Sequence, residues 1–170
     1  MVEHTSTKKL KVIEVGGSSL NFDYAHFLPS SPKCGVLHGH TSMVNVKVWG
    51  ETVGNMVFEF SELKRVVKSV IGAMDHKLIV ASCYIVADEE GFAKIVFDGV
   101  GGRYELKLPK TSVYVIEHDS TVENISEHIA EKLKKLMPSN IAKISVRMTE
   151  GLGKSATAST LKQWRFCRVE

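Results

Sequence analysis

Three histidines and one cysteine near the N-terminus have the residue types and spacing of a zinc site. His38 and His40 lie two residues apart in a segment of strand character, and side chains two apart in a strand project from the same face. His26 lies near the end of the preceding predicted strand and would face that pair if the two strands formed an antiparallel ladder. Three imidazoles with an open fourth position are the typical ligand set of a catalytic zinc ion.

Cys34 leaves a second interpretation of the same residues open. A thiolate is a good zinc ligand, so Cys34 could close the site as a fourth, structural ligand. Histidines in a strand can also have only surface or packing roles. The presence of His26 and Cys34 close to His38 and His40 in the chain favours a metal site over those roles.

The segments that carry these histidines have the pattern of two paired strands. Residues 9–27 are rich in β-branched and aromatic side chains and predict one long strand with a bulge or bend at residues 16–19. Residues 41–51 alternate apolar and polar side chains. A loop at residues 29–36 would connect the two strands as antiparallel partners.

The rest of the chain predicts two helices and further strands. The first helix would follow an N-cap at Ser61 and end near Gly72. Residues 83–117 contain four runs of strand character, residues 120–123 form a capping-box pattern for a second helix, and residues 141–149 and 159–169 read as closing strands. This order predicts a single α+β domain, residues 1–170, with a mainly antiparallel sheet.

The composition is that of an ordinary globular protein. The chain has 170 residues, 44% hydrophobic and 24% charged, and its net charge of +3 with scattered lysines does not indicate a nucleic-acid groove or an anionic membrane surface. No apolar run is long enough to span a bilayer, and the N-terminus lacks a signal-peptide pattern, so we expect a cytoplasmic protein. Three cysteines, Cys34, Cys83 and Cys167, without a CxxC pair argue against a disulfide framework.

Five short motifs occur in order along the chain. They are FDYAH at residues 22–26, CGVLHGH at 34–40, MDHK at 74–77, TVEN at 121–124 and MTE at 148–150. Each is weak alone, but together and in this order they are specific. The chain thereby resembles the 6-pyruvoyltetrahydropterin synthase and 6-carboxytetrahydropterin synthase family.

The resemblance implies a role for each motif residue. It implies Zn²⁺ ligands at His26, His38 and His40, catalytic proton transfer by Cys34 with Asp75 and His76, and substrate binding by Glu150 and Glu123. The chemistry fits these types, because zinc polarises substrate oxygens and acidifies the neighbouring C–H bond. A thiolate can then accept that proton, and a carboxylate can accept two parallel hydrogen bonds from a pterin ring.

Several of these residues have a simpler explanation as well. Glu123 could serve only as the capping-box partner of Ser120, and His76 could only offset the dipole at a helix C-terminus. Glu150 at a strand end could be ordinary surface charge. His118 and His128 match no motif and are read as surface or packing residues, and residues 151–155 lack the first glycine of a P-loop.

The resemblance also implies an architecture and a reaction. The family has the tunnelling fold, an antiparallel sheet with two helices on one face, whose subunits join their sheets into a β-barrel and form a hexamer from two trimers. Active sites then lie between subunits, so Cys34 and the Asp75–His76 pair could come from different chains. The implied substrate is 7,8-dihydroneopterin triphosphate, which a lyase reaction converts to a 6-substituted tetrahydropterin with loss of triphosphate.

Two products occur within the family, the 6-carboxy and the 6-pyruvoyl tetrahydropterin. The short Cys-x3-His-Gly-His spacing resembles the microbial 6-carboxy enzymes that supply queuosine and archaeosine synthesis. The folate-route variant is disfavoured because Cys34 is retained. A non-catalytic, zinc-stabilised binding module, with Cys34 as fourth ligand, remains the alternative from another class.

The chain departs from the family pattern in three places. Residues 78–80 are Leu-Ile-Val where the family has an asparagine shortly after the DHK motif, and Ser120 stands in place of a proline. Neither change removes a catalytic group. Residues 83–110 exceed the usual connection and predict an extra hairpin.

Overall fold

A computed structural model describes residues 9–161 of the chain. Within that range the chain forms ten strands and two α-helices. In chain order they are β1 (Lys11–Val15), β2 (Asn21–His26), β3 (His38–Gly50), α1 (Phe60–Gly72), β4 (Lys77–Ala81), β5 (Ile85–Glu89), β6 (Phe92–Gly99), β7 (Gly102–Pro109), β8 (Val113–Ile116), α2 (Val122–Leu136), β9 (Ile141–Thr149) and β10 (Ser155–Leu161). The expected α+β class is confirmed.

Seven of the strands form one sheet around the long central strand β3. Its order is β10-β9-β3-β2-β4-β8, and β1 also pairs with β3. The ladders of β3 are antiparallel, as expected, whereas β4 pairs in parallel with both β2 and β8. The predicted long strand at residues 9–27 is therefore two strands on the same neighbour, separated by a turn in which Gly17 has φ +96°.

Both helices pack on one face of this sheet. The apolar stripe of α1 and that of α2 meet alternate residues of β3, namely Val44, Val46 and Val48, all fully buried. The β9 residues that pair with them extend the same core. This cluster is the main hydrophobic core, and it leaves the end of the sheet near His38 beyond the helices.

The two helix starts differ from the sequence prediction. Glu59, and not Ser61, caps α1, because its carboxylate accepts the backbone N–H groups of Ser61 and Glu62. Thr121, and not Ser120, caps α2, since its hydroxyl accepts the N–H of Asn124 at 3.2 Å. The capping box proposed from residues 120–123 is therefore wrong. The predicted end of the first helix, near Gly72, agrees with the structure.

Residues 85–109 form a separate three-stranded antiparallel sheet, β5-β6-β7. This region was expected to hold an extra hairpin, and it carries one strand more. Its inner side packs against the face of the main sheet opposite the helices, in a second core built from Phe27, Leu78, Val80, Ile95 and Phe97. The small sheet thus covers the ends of β2 and β4.

The last described strand, β10, runs from Ser155 to Leu161 and begins earlier than the predicted strand at 159–169. Residues 162–169 of that prediction, with Cys167, lie outside the described residues. No helix among residues 9–161 is long and apolar enough to cross a membrane.

Candidate metal centre and its surroundings

The pairing of β2 with β3 brings the three motif histidines together. His26 pairs directly with His38, and Tyr24 pairs with His40. The side chains of alternate residues therefore share the helix-facing side of the sheet. One ring nitrogen from each of His26, His38 and His40 lies within 4.8 Å of the other two. The predicted convergence of three imidazoles is present.

Backbone carbonyls orient two of these rings. Nδ1 of His26 lies 2.7 Å from the carbonyl oxygen of Ser120, and Nδ1 of His38 lies 2.8 Å from that of Val36. A carbonyl only accepts, so each Nδ1 carries the proton and donates. Each Nε2 is then left with a lone pair, as a metal-binding histidine requires.

The two Nε2 atoms of His26 and His38 lie only 3.1 Å apart. Two lone pairs that face each other at this distance repel unless a cation or a proton lies between them. Two nitrogens on one tetrahedral zinc ion, each about 2.1 Å from the metal, would be separated by about 3.4 Å. The spacing therefore fits two ligands of a shared metal ion.

His40 supplies a third donor without any competing partner. Its Nε2 is buried and has no hydrogen-bond partner among the described residues. A buried polar atom without a partner is costly in a native fold. A metal ion bound together with His26 and His38 would satisfy it, so the donor set and the geometry fit a three-histidine metal site.

Burial favours the neutral, metal-binding form of two of the three imidazoles. Burial lowers the pKa of His26 to about 4, an effect that the Ser120 carbonyl and Glu150 only partly oppose. Burial likewise lowers the pKa of His40. Since a protonated imidazole cannot bind a metal, these lowered values favour metal binding at neutral pH.

Glu150 lies at the edge of this cluster. One carboxylate oxygen is 3.8 Å from Nε2 of His26, and the other is 3.3 Å from Nζ of Lys154. The Glu150 side chain is only 13% exposed, which does not fit an ordinary surface charge. Glu150 directly follows the last residue of β9. It lies two residues after Met148, which is fully buried in the core, so strand alternation points both side chains to the same face.

The sequence analysis missed two residues beside Glu150. Tyr24 has a buried hydroxyl, and burial followed by the charge of Glu150 raises its pKa, an effect that Ser42 partly opposes. Strand alternation from His26 was a signal for it. Lys154 was set aside with the P-loop pattern, yet its ammonium group pairs with Glu150 and adds to the lowering of the pKa of His40.

Cys34 lies in a compact loop before β3 and is half-buried. It is among the described residues, but its sulfur does not join the group formed by the three histidines. The conformation of this chain thus gives no support to Cys34 as a fourth ligand.

Asp75 and His76 lie on the other face of the sheet. Oδ1 of Asp75 accepts the backbone N–H of Asp23 at 2.9 Å and lies 2.9 Å from Nδ1 of His76. The Asp23 side chain belongs to this group and faces away from Tyr24 and His26. Asp23 and His76 line a cleft of about 560 Å³ whose lining also includes Tyr24 and His40. The side chains of Asp75 and His76 nevertheless form a group separate from the three histidines, on the opposite face of the sheet.

The remaining candidates lie outside the cluster. Glu123 is exposed in the first turn of α2 and makes no side-chain ion pair or hydrogen bond with the cluster in the part of the chain described. His118 is exposed, and His128 packs against Tyr114, whose hydroxyl lies 2.9 Å from its Nε2. These two histidines agree with the surface and packing roles expected of them.

Comparison with known proteins identifies the family. The family model described as 6-pyruvoyl tetrahydropterin synthase matches residues 18–160. A protein of Methanocaldococcus jannaschii with the provisional name 6-carboxy-5,6,7,8-tetrahydropterin synthase is 32% identical over 157 residues, which span 85% of this chain and 94% of that protein. A protein of Pyrococcus abyssi with the same provisional name is 37% identical over 133 residues, 76% of this chain and 79% of that one.

A solved structure has the same fold. The 6-pyruvoyl tetrahydropterin synthase of Plasmodium falciparum matches with a TM-score of 0.76 at 24% identity, over 90% of this chain and 99% of that one. The fold, the motifs and the extent of the family match lead to one assignment. This chain belongs to the 6-pyruvoyl tetrahydropterin synthase family.

Proposed function

We propose that this protein is a zinc-dependent lyase that converts 7,8-dihydroneopterin triphosphate to a 6-substituted tetrahydropterin with loss of triphosphate. The observation that carries the proposal is the cluster of three imidazoles, with the facing Nε2 atoms of His26 and His38 and the unpartnered Nε2 of His40. Family membership and the names of the archaeal relatives support the substrate class.

The three histidines would hold the metal, and the chain would position the rest. A zinc ion bound there supplies Lewis-acid polarisation of the substrate's side-chain oxygens. The carbonyls of Ser120 and Val36 hold the rings of His26 and His38 with Nε2 directed inward. Such outer hydrogen bonds fix the ring orientation and raise the basicity of the ligands.

Glu150 is suited to anchor the pterin ring. Its carboxylate lies beside the histidine cluster, is largely buried, and has Lys154 as counter-ion. A carboxylate in this position can accept two hydrogen bonds from the ring N–H and the amino group of a pterin. The partly desolvated setting strengthens both bonds.

Proton transfer would involve Cys34 together with Asp75 and His76. Polarisation of the substrate oxygens would acidify the neighbouring C–H bond, and the Cys34 thiolate would remove that proton. Asp75 would orient the imidazole of His76 through the 2.9 Å contact between its Oδ1 and Nδ1 of His76. Because the sheet separates this pair from the histidines of its own chain, we propose that it serves the cluster of a neighbouring subunit. A hexamer built as a dimer of trimers, with sheets joined into a β-barrel, would provide that arrangement.

The 6-carboxy product is our first choice, on the spacing of Cys34 from His38 and on the names of the archaeal relatives. The test is incubation of the zinc-loaded protein with 7,8-dihydroneopterin triphosphate, followed by liquid chromatography with mass detection. The carboxy product keeps one side-chain carbon, so a two-carbon fragment must leave with triphosphate. The pyruvoyl product keeps all three carbons.

Each result of this assay has a definite meaning. A 6-carboxy tetrahydropterin supports the full proposal, and a 6-pyruvoyl tetrahydropterin corrects only the product. Unchanged substrate in the presence of the zinc-loaded, folded protein would reject the lyase and leave the zinc-stabilised binding module. His38→Ala, which removes a metal ligand, is the negative control.

A further inference from the structure

The small sheet touches the Cys34 loop through the turn between β6 and β7. The backbone N–H of Val100 in this turn donates to the carbonyl oxygen of Gly35 at 3.1 Å. Gly35 directly follows Cys34 in the chain. The turn therefore holds the peptide next to the thiol-bearing residue.

This contact leaves no room for larger residues. A Cβ built on Gly35 would lie 2.9 Å from a methyl group of Val100 and 2.9 Å from the carbonyl oxygen of Ser31. A Cβ on Gly99 would fall far inside van der Waals contact with the Gly35 carbonyl oxygen. The carbonyl oxygens of Ser31 and Gly35 are backbone atoms. To make room for either Cβ, the loop itself would have to move, because no flexible side-chain end can give way there.

The turn is itself held firmly. The hydroxyl of Tyr104 donates to the carbonyl oxygen of Val100 at 2.7 Å, and its ring stacks on Phe97 with 4.6 Å between centroids. Phe97 in turn stacks on Phe27 at 3.6 Å. Phe27 directly follows the proposed zinc ligand His26, so a continuous series of contacts connects the turn to β2.

The loop also has its own internal bonds on both sides of Cys34. The carbonyl oxygen of Cys34 accepts the N–H of Leu28 at 2.7 Å, and the N–H of Cys34 donates to the hydroxyl of Ser31 at 3.1 Å. The N–H of Gly35 donates to the Ser31 carbonyl at 2.9 Å. These bonds make the loop compact, and the turn at Gly99 and Val100 joins that compact unit to the rest of the fold.

We propose that the contact of Gly99 and Val100 with the Gly35 peptide sets where the Cys34 thiol is held relative to the metal centre. Gly99 and Val100 are positioning residues and touch no substrate. The proposal rests on the proposed function for the reaction of Cys34, but the placement of the loop can be measured without turnover. The small sheet would thereby have a role in the site and not only in covering the apolar face of the main sheet.

Two variants break the contact by different means. Gly99→Ala places a Cβ against the Gly35 carbonyl. Val100→Pro removes the N–H that donates to Gly35. Proline fits at residue 100, because the positive φ of +87° at Gly101 is typical of a type II turn, in which the residue before that glycine is often proline. The matched controls are Val100→Ala, which keeps the N–H, and Gly101→Asn, since a Cβ there meets nothing within 4 Å and asparagine tolerates positive φ.

The readouts are iodoacetamide labelling of Cys34, with exposed Cys83 as internal reference, and kcat and KM on 7,8-dihydroneopterin triphosphate. For both variants we expect Cys34 labelling to rise about fivefold, the change in local opening that one lost hydrogen bond produces. We expect kcat to fall about ten- to a hundredfold with KM, zinc content and oligomeric size unchanged, because a small misplacement of a reacting group has effects of this size. Both controls should match the wild type.

Unchanged labelling and kcat in both variants would overturn the proposal. So would equal changes in Gly101→Asn, because the effect would then come from any disturbance of the turn and not from its contact with Gly35. A wild-type protein that turns over no substrate would reject the proposed function, yet the labelling ratio would still decide the positioning role. If Gly99→Ala fails to fold, Val100→Pro against Val100→Ala gives the same decision.

Discussion

At the scale of single residues, the metal centre combines neighbouring residues of β2 and β3 with one contact from a distant part of the chain. Alternation in a strand is enough to bring His38 and His40 together, and a two-strand ladder adds His26. The carbonyl that orients His26 belongs to Ser120, which is 94 residues away in the chain. No local pattern predicts that contact. Tyr24 could have been found from its alternation with His26 in β2. The pairing of Lys154 with Glu150 could not, because residues 150–154 lie between two strands, where no helix or strand period applies.

Replacement of Cys34 separates a catalyst from a structural ligand. If Cys34 transfers a proton, Cys34→Ala keeps its zinc and its thermal stability while turnover falls by about two to four powers of ten. Atomic absorption and the product assay measure the two quantities on one sample, and Cys83→Ala, at an exposed thiol, is the control. Loss of zinc together with stability would make Cys34 the fourth ligand, because metal binding contributes folding energy in structural sites.

Glu150→Ala tests the anchor of the pterin ring. We expect binding of a non-reactive pterin analogue to weaken by about 2 to 5 kcal/mol, the usual cost of removing one partner from a buried charged pair, with zinc content unchanged. Calorimetric titration measures the affinity. Glu62→Ala removes a carboxylate of α1 that pairs with Arg65 and has no role in the site, so it should bind the analogue as the wild type does. Equal affinity in both variants would return Glu150 to a structural role with Lys154.

At the scale of elements, local sequence patterns predicted where helices and most strands lie, and tertiary contacts decided the details. Strand β4 was missed because the four apolar residues that follow Lys77, shortly after a helix, have no period of their own. Its neighbours, β2 and β8, are distant in sequence and pair with it in parallel. A parallel ladder depends on such non-local contacts.

Tertiary contacts also decide which residue caps α2, and this can be tested. Ser120 and Thr121 are both good N-cap types, but Ser120 is buried, its carbonyl accepts from His26, and Thr121 is left to cap the helix. Thr121→Ala should lower the free energy of unfolding by about 1 kcal/mol in urea titrations at fixed protein concentration. Thr111→Ala, at an exposed threonine in the short 3₁₀ helix of residues 110–112, should change it by less than about 0.5 kcal/mol. Equal effects would remove the cap assigned to Thr121.

At the scale of the whole molecule, the edges of the main sheet favour assembly. Three strands, β1, β8 and β10, each pair with a single neighbour and leave one side unpaired within the described chain. Exposed edges are prone to pair with other chains, and closed symmetric oligomers consume them. We expect a hexamer or another closed oligomer in light scattering at micromolar concentration. A fully active monomer would rule out a site shared between subunits.

The most direct test of the account is a zinc titration of the metal-free protein with turnover as the readout. The geometry of His26, His38 and His40 predicts that formation of the tetrahydropterin from 7,8-dihydroneopterin triphosphate rises in proportion to added zinc and levels off at one ion per chain. His38→Ala should stay inactive at the same concentrations, because two imidazoles make a poor site. Full turnover by the metal-free protein, or restoration of His38→Ala by one equivalent of zinc, would contradict the account.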